Sequence, residues 1–446
     1  MVQTDFSKDE FQARRARVTQ AIGPEAVALV RGSPKNRGHD SFRQNNDFYY
    51  LCGVEVPHAY LCLDGKNHTT TLFLPHQSAE RRESEGEILS ADNADLVREL
   101  TGIDRVLGIE FLAQSLEGVQ VLYTSMRQAE GPGMSWDTLQ RAQQDVTADP
   151  WDGRPDRTRH FVTTLRARCP MVKILDLSPV LDDLRLIKSD QEITLLRKAG
   201  QLSALGCIEA MRSTKPGVFE YQIDAIMRYQ YLVNGARDAG YRAIIAGGAN
   251  AWYGHYSANN CPLQDGDLVL VDCAPDYHYY TSDIGRMWPV NGTYSPVQRE
   301  LYGFMVEYHK VLLRLIRPGV TGAQIQREAA AQMAEVVERT RFSKGIYEAA
   351  ARRALEFPYH MSHCVGMAVH DVGHYRGKPL RPGMVFALDP QMRVPEEKLY
   401  IRVEDTVVVT EEGIENLTVD APLELEEVEA LMQASGLLDR FPAQGW

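Results

Sequence analysis

The sequence predicts an α+β fold with two domains, and two observations support this prediction. The chain has 446 residues, which is longer than a single hydrophobic core usually organises. In the C-terminal half, helical patterns alternate with neighbouring apolar segments joined by short turns, which favours antiparallel strands covered on one face by helices. The hydrophobic fraction of 44% and the charged fraction of 24% are typical of a globular protein.

The domain boundary is placed where the sequence pattern changes. Ser189 followed by Glu192 is a capping box, and apolar residues recur at helical spacing after it, so a long helix is predicted to begin there. We therefore assign residues 1–178 to a smaller α/β N-terminal domain. Residues 179–446 are assigned to the α+β C-terminal domain.

Within these domains, the apolar patterns predict individual elements. In the N-terminal domain, residues 48–51 (FYYL) are predicted to begin an aromatic strand, and residues 60–65 (YLCLDG) to form a strand that runs into a turn. In the C-terminal domain, helices are predicted at 219–235, 295–316 and 322–340, and strands at 267–273, 277–288, 384–389 and 399–409. No GxGxxG motif follows a strand, so the sequence does not support a dinucleotide site.

Composition and charge narrow the class of partner. The net charge of -12 argues against a nucleic-acid partner, because phosphate binding needs a basic surface. No segment approaches the roughly 20 consecutive apolar residues of a membrane-spanning helix, so no membrane association is expected. The first residues lack the apolar core of a secretory signal, and the seven cysteines show no CxxC spacing. We therefore expect a cytoplasmic protein with reduced thiols.

Four acidic residues lie in or directly after apolar segments. Asp272 ends one predicted strand and Asp283 lies in the returning strand, so a hairpin brings two carboxylates together, which repel unless a cation or a shared proton intervenes. Asp389 follows an apolar run, where a carboxylate is costly unless it is paired or bound to a metal. Strand alternation puts Arg402 and Glu404 on one face. Taken singly, each acid could also be a solvated turn residue or part of a structural salt bridge.

Histidines form a second group of candidates. The segment YHMSHCVGMAVHDVGH contains His360, His363, His370 and His374, and histidine is both the commonest metal ligand and a common acid–base group. A histidine-rich surface loop is the alternative interpretation. His255 is isolated in WYGHYSANN, and a lone histidine is more often structural than catalytic.

Considered together, these residues indicate a hydrolytic metal centre. Four carboxylates and one imidazole, without a cysteine, form an oxygen-rich ligand set that favours manganese or magnesium over zinc. Four negative charges balance two divalent cations. Two metal ions about 3.5–4 Å apart can bind a bridging water, lower its pKa and stabilise both ends of a hydrolytic displacement.

Four ordered segments resemble the aminopeptidase P/prolidase family of metallopeptidases: VDCAPDYHYYTSDIGR, HMSHCVGMAVHDVG, LRPGMVFALDP and YIRVEDTVVVTEEGIENLT. Upstream, SFRQNNDFYYLCGVEVPHAYLCLDG resembles the N-terminal domain of that family. The resemblance implies a C-terminal catalytic domain with the pita-bread fold, whose two α+β halves are related by pseudo-two-fold symmetry. It also implies a proline-containing peptide as substrate, cleavage of the Xaa-Pro bond, and a homodimer or homotetramer.

The resemblance also assigns roles to residues. It implies a set of metal ligands, with two of them bridging both ions (Asp283 and Glu404): Asp272, Asp283, His363, Asp389 and Glu404. It implies that His255 and His370 assist substrate binding and stabilise the tetrahedral intermediate, and that Arg402 shapes the substrate pocket. The expected mechanism is attack on the carbonyl before proline by a hydroxide that bridges two divalent ions, for which manganese is favoured. Asp389 is expected to relay the proton.

Two departures from the family pattern keep alternatives open. Asp389 stands where the family usually has glutamate, and is one methylene shorter. Tyr359 stands four positions before His363, where the family often has histidine, and His360 lies beside it. The alternatives are an Xaa-Pro dipeptidase (prolidase), a metal-free hydrolase of the creatinase type, and a binding protein that has kept the fold without catalysis.

Overall fold

The computed structural model describes residues 3–35, 41–131, 133 and 135–442. The chain forms two compact units, Met1–Arg185 and Leu186–Trp446. The domain limit between residues 178 and 179 stays a prediction. Within the described ranges, no helix is both long enough and apolar enough to cross a membrane.

The N-terminal unit is built around a mixed sheet. In chain order its elements are α1 Lys8–Ile22, β1 Ala26–Arg31, α2 Asn46–Cys52, β2 Tyr60–Asp64, β3 Thr69–Leu74, α3 Ala79–Glu85, α4 Ala94–Thr101, β4 Arg105–Gly108, α5 Leu112–Ser115, β5 Val121–Thr124, α6 Trp136–Ala148, α7 Arg157–Arg168, β6 Lys173–Asp176 and α8 Ser178–Leu186, which reaches the following unit. The six strands lie in the order β4-β3-β2-β1-β5-β6. The pairs β3–β4, β1–β5 and β5–β6 are parallel, whereas β1–β2 and β2–β3 are antiparallel.

The aromatic strand predicted at Phe48 to Leu51 is wrong, because these residues lie in the helix α2. The helix is completely buried and ends at Gly53 with a φ of 63°. Two arginines of α1 satisfy its last carbonyls: Arg14 donates to the carbonyl of Tyr50 and Arg15 to that of Leu51, each at 3.1 Å. Tertiary contacts therefore override the β-propensity of the aromatic residues. The strand predicted at 60–65 is confirmed as β2.

The C-terminal unit combines antiparallel sheets with helices. In chain order its elements are α9 Asp190–Ser213, α10 Glu220–Val233, β7 Asp238–Ala239, β8 Ile244–Gly247, β9 Leu268–Asp272, β10 Pro275–Asp276, β11 Gly285–Pro289, α11 Pro296–Leu315, α12 Gly322–Arg339, α13 Gly345–Glu356, β12 Met361–Cys364, β13 Val385–Leu388, β14 Gln391–Val394, β15 Leu399–Arg402, β16 Asp405–Val409, β17 Ile414–Asn416, α14 Leu425–Met432 and α15 Leu437–Arg440. The sheets have the orders β11-β9-β8 and β12-β13-β16-β17, with the two-stranded pairs β14-β15 and β7-β10. The strand pairings within these four sheets are antiparallel, and the α+β prediction is confirmed.

Most elements predicted in this unit are confirmed. The three predicted helices correspond to α10, α11 and α12, and the strands predicted at 267–273 and 384–389 correspond to β9 and β13. The capping box of α9 forms as expected: the Ser189 hydroxyl accepts from the Glu192 amide, and the Glu192 carboxylate accepts from the Ser189 amide. The helix α13 was not predicted.

Two predicted strands are wrong in part. The strand predicted at 277–288 is regular only from Gly285, because His278 and Tyr279 have φ angles of 49° and 76°, which interrupt an extended backbone. The strand predicted at 399–409 is divided into β15 and β16, which pair with β14 and β13 in two different sheets. Glu404 lies in the break between them.

Candidate metal centre

Two acidic side chains meet at the end of the hairpin formed by β9 and β11. Asp272 ends β9 and pairs with Gly285, so that Asp283, two residues before Gly285, lies next to it. One hydroxyl joins the two acids, because Tyr241 Oη lies 2.6 Å from Asp272 Oδ1 and 2.9 Å from Asp283 Oδ1. Both carboxylates are buried. The structure therefore brings these two predicted residues together.

Glu404 reaches the same point from the neighbouring sheet. The backbones of Glu404 and Gly285 are hydrogen-bonded in both directions, at 2.9 and 3.1 Å. This approach requires glycine at position 285, because a Cβ there would lie 2.9 Å from the Glu404 Cβ. The Thr406 hydroxyl accepts from the Asp283 amide at 2.6 Å and donates to the Asp283 carbonyl at 2.8 Å. The Glu404 carboxylate is completely buried beside Asp283.

His363 on β12 completes a group of three potential ligands. Its Nε2 lies 3.3 Å from Asp283 Oδ2. One ligand atom from each of Asp283, His363 and Glu404 lies within 4.8 Å of the other two. Metal–ligand bonds to nitrogen and oxygen are about 2.0–2.2 Å long, so small side-chain adjustments would let one cation contact all three residues.

The remaining two predicted ligands are connected to this group through Arg402. The guanidinium donates from Nε to Asp389 Oδ1 at 2.7 Å, from Nη1 to Asp272 Oδ2 at 2.8 Å, and from Nη2 to Glu404 Oε2. It therefore lies among three of the four carboxylates. The five side chains predicted as ligands and Arg402 form one continuous cluster, in which all but the half-buried His363 are buried.

Burial controls the titration of this cluster. It raises the pKa of Asp272 to about 7 and that of Asp389 to about 6, although Arg402 acts in the opposite direction on both. Burial, opposed by Arg402 and reinforced by the charge of Asp283, also holds the pKa of Glu404 well above its usual range. For Asp283 the same burial is outweighed by the hydrogen bond and charge of His363, and its pKa lies below the usual value.

The residues present fit a site for divalent cations. Four carboxylates and one arginine leave an excess of negative charge in a buried position. Within the described part of the chain, Glu404 Oε1 has no hydrogen-bond partner. A buried carboxylate oxygen without a donor is costly unless a cation meets it. Oxygen ligands with a single imidazole suit a hard divalent ion.

Two further histidines extend from one side of the cluster. The ring of His370 lies 3.9 Å from that of His363, and the ring of His255 lies 6.3 Å from that of His370. His255 lies in a loop that is hydrogen-bonded to the side chain of Glu220. This completely buried carboxylate accepts four hydrogen bonds from residues 247–261. The structure thus places the two predicted catalytic histidines in a row that begins at a predicted metal ligand.

A buried ion pair between Arg286 and Asp405 lies next to Glu404 and stabilises its backbone. The next residue, Asp405, accepts from Arg286 Nη2 at 2.7 Å and lies 2.6 Å from His309 Nε2. Arg286 Nη1 also donates to the Glu404 carbonyl at 2.6 Å. Although burial acts in the opposite direction, Arg286 and His309 hold the pKa of Asp405 far below its usual range. The pair therefore fixes the backbone that carries Glu404.

Neither His360 nor Tyr359 joins the cluster. His360 is completely buried, and its Nε2 lies 2.7 Å from the carbonyl oxygen of Ala354. Burial lowers the pKa of His360 to about 4. Tyr359 is exposed, and its ring lies against the guanidinium of Arg376 at 4.7 Å.

Sequence reasoning missed two residues that organise the site, Tyr241 and Glu220. Tyr241 is one of 20 tyrosines in the chain, and no motif or spacing distinguishes it. Glu220 stands in the first turn of α10, where an acidic residue ordinarily interacts with the helix dipole. The turn-rich segment 246–261 that follows was the only available signal that a buried acid would be needed.

Comparison with known proteins identifies relatives of both units. Residues 194–411 match the pattern of metallopeptidase family M24, and residues 11–123 match that of the aminopeptidase P N-terminal domain. The Xaa-Pro aminopeptidase of Escherichia coli is 34% identical, with 97% of this chain and 99% of the relative covered. Human Xaa-Pro aminopeptidase 3 is 31% identical, with 96% and 86% covered.

A solved structure agrees with these sequence matches. Zinc-substituted E. coli aminopeptidase P in complex with product has a TM-score of 0.78 and is 32% identical, with 96% of this chain and 99% of that chain covered. The pita-bread architecture expected for the C-terminal domain is confirmed by this similarity together with the M24 match. The chain belongs to the M24 family of metallopeptidases, and within it to the aminopeptidase P group.

Proposed function

We propose that this chain is an Xaa-Pro aminopeptidase that uses two divalent metal ions. The family and the relatives named Xaa-Pro aminopeptidase support metal-dependent hydrolysis of an Xaa-Pro bond. The proposed ligands are Asp272, Asp283, His363, Asp389 and Glu404. One observation carries this assignment: the five side chains converge, partly through Arg402, on one negatively charged cluster. In this cluster Glu404 Oε1 lacks a hydrogen-bond donor among the described residues.

The chemistry assigned to the chain's own residues follows from their positions. Two divalent ions held by the cluster would lower the pKa of a shared water to supply hydroxide, and would polarise the substrate carbonyl. His255 and His370, beyond His363, are proposed to donate hydrogen bonds to the carbonyl oxygen as it gains negative charge. Asp389, a carboxylate of the same cluster, is proposed to accept the proton of the water.

The leaving group explains why a proton relay is needed. Proline has no backbone N–H, so a peptidase cannot anchor this residue through the usual hydrogen bond. Its nitrogen departs as a secondary amine and must gain a proton. We assign that transfer to Asp389 as well, and assign Arg402 to neutralising the carboxylates around it, since the guanidinium contacts three of them.

The decisive experiment compares Ala-Pro-Ala with Ala-Ala-Ala after removal of metal and after addition of manganese. We expect release of alanine from the first peptide only, and only with metal present. If the metal-loaded protein cleaves no Xaa-Pro peptide, the aminopeptidase assignment is wrong and the non-catalytic alternative is favoured. If activity is the same after chelation, and metal analysis finds no bound ion, a metal-free hydrolase of the creatinase type is favoured.

Xaa-Pro dipeptidase activity is the second candidate function. The proposed metal ligands serve both reactions, since the scissile bond is the same. The names of the relatives favour the aminopeptidase. The ratio of kcat/KM for Ala-Pro-Ala and the dipeptide Ala-Pro separates them, and a strong preference for the dipeptide would reverse the order.

The native metal and the assembly complete the proposal. Manganese is favoured by the four oxygen ligands and single imidazole, and elemental analysis of the purified protein tests it. A homodimer or homotetramer is supported by the exposed Tyr221, Tyr229 and Val233 along α10, since such apolar patches often mark interfaces. Light scattering measures the mass in solution. The seven free cysteines support a cytoplasmic location, which cell fractionation tests.

A further inference from the structure

One arginine outside the cluster is held in a fixed position on the protein surface. The exposed Arg393 on β14 has its guanidinium 5.1 Å from the ring centre of Trp252 and 4.2 Å from that of Tyr400. Its Nη1 donates to the Trp252 carbonyl at 3.1 Å. An arginine held between two aromatic rings loses little conformational freedom on binding a ligand.

The guanidinium of Arg393 lacks a counter-ion in the part of the chain that the structure describes. Among the residues that the structure describes, no carboxylate lies within ion-pair distance of it, and its hydrogen bond goes to one backbone carbonyl. A guanidinium carries five N–H donors, arranged to hold a carboxylate through two parallel bonds. Most of these donors remain available to a ligand.

Strand register places Arg393 close to the proposed metal centre. In the hairpin of β14 and β15, Gln391 pairs with Arg402 and Arg393 pairs with Tyr400. The four side chains therefore lie on one face of the hairpin. Arg393 is the diagonal neighbour of Arg402, and the backbones of such neighbours are about 7–8 Å apart. The Tyr400 hydroxyl donates to Gln391 at 3.2 Å, which connects the two ends of this face.

The histidine row leads to the same arginine from the other side. His255 ends the row that starts at His363 and passes through His370. The residue before it, Gly254, lies so close that a Cβ there would be 3.4 Å from Arg393 Nη2. Glu220 already anchors this loop through four hydrogen bonds, so the loop does not depend on Arg393 for its position.

We propose that Arg393 is a specificity-determining residue that binds a carboxylate of the leaving peptide, two to three residues beyond the scissile bond. An extended peptide advances about 3.3–3.6 Å per residue, so the backbone spacing between Arg393 and Arg402 corresponds to about two residues of substrate. In an aminopeptidase a single residue precedes the scissile bond, so a substrate group at this distance belongs to the leaving side. The inference rests on the proposed function and adds acidic leaving peptides as the preferred substrate class.

The test uses amidated tetrapeptides that differ in one charge, Ala-Pro-Ala-Glu and Ala-Pro-Glu-Ala, each with its glutamine counterpart. We expect kcat/KM to be about three- to tenfold higher for the glutamate peptide at one of these positions, mainly through KM, and the ratio to fall with added salt. In Arg393→Met the ratio should approach one, and Arg393→Lys should retain part of it. Arg317→Met, which removes an arginine paired with Glu328, is the matched control and should keep the full ratio.

Two results would overturn the inference: equal rates for glutamate and glutamine peptides in the unmodified protein, or an unchanged ratio in Arg393→Met. The same peptides as free acids show whether the terminal carboxylate is the group bound. If no peptide is cleaved at all, the proposed function fails. Calorimetry with the amides of Pro-Ala-Glu and Pro-Glu-Ala, each compared with its glutamine counterpart, still tests Arg393 in that case, and equal affinities at both positions would refute its role.

Discussion

Without metal, the C-terminal unit should lose stability as the pH rises from 5 to 8. In the metal-free cluster, burial raises the pKa of Asp272 to about 7 and that of Asp389 to about 6, against an ordinary value of 3.8 for both. Each native carboxyl therefore keeps a proton that the unfolded chain has already released. Its contribution to stability is fully present at low pH and is lost as the pH rises to the folded pKa.

The size of the effect follows from these values. Between pH 5 and pH 8, Asp272 titrates across about two pH units and Asp389 across about one. At about 1.4 kcal/mol per unit, these two acids together contribute at most about 4 kcal/mol. The two acids share Arg402, so their contributions are not independent and the sum is smaller. Since 1 kcal/mol shifts Tm by about 2–4 °C in a domain of this size, the expected fall is on the order of 10 °C.

The assay is a thermal melt at half-unit steps of pH, with chelator and with saturating manganese. Cation binding needs ionised carboxylates, so the difference in Tm between the two states should widen as the pH rises. The variant Asp272→Asn removes the larger titration and should flatten the metal-free profile by more than half. A difference in Tm that is the same at pH 5.5 and pH 8 would refute the reasoning, because the metal would then not be competing with protons.

Three further predictions concern single residues. Asp283→Ala should lose both bound metal and peptidase activity, by about a thousandfold or more, since this carboxylate contacts His363 and lies beside Glu404; metal analysis and a peptide assay measure the two losses, and retained activity would contradict the ligand assignment. Tyr241→Phe leaves two carboxylate oxygens without their donor and should lower kcat/KM about tenfold with the fold intact, as circular dichroism can verify. Arg286→Met leaves Asp405 buried without its arginine and should cost about 3–5 kcal/mol in denaturant unfolding; a loss below 1 kcal/mol would show that the pair is not structural.

The sequence predicted those parts of the protein whose signals are local. The Ser189 capping box and the helical spacing after it predicted α9. The apolar runs before Asp272 and Asp389 predicted β9 and β13. Order and spacing of the acidic and histidine motifs then pointed to one cluster through resemblance to a family. These features depend on residues close together in the chain, or on a pattern that can be compared directly.

The remaining features depend on contacts between distant segments. Residues 48–51 have strand-forming side chains, and their helix is stabilised by arginines of α1 that a local pattern cannot include. Tyr241 bonds to acids 31 and 42 residues further along the chain. The break at Glu404 arises because the flanking strands join different sheets, which one apolar run does not reveal.

The triple contact of Arg402 has a consequence for the order of assembly. A guanidinium among Asp272, Asp389 and Glu404 supplies a permanent positive charge where the carboxylates would otherwise repel one another. We therefore expect the chain to complete its folding before any ion arrives. Which ion it acquires would then be decided by the supply in its surroundings and by exchange at a finished site, rather than by whichever ion is present while the chain folds.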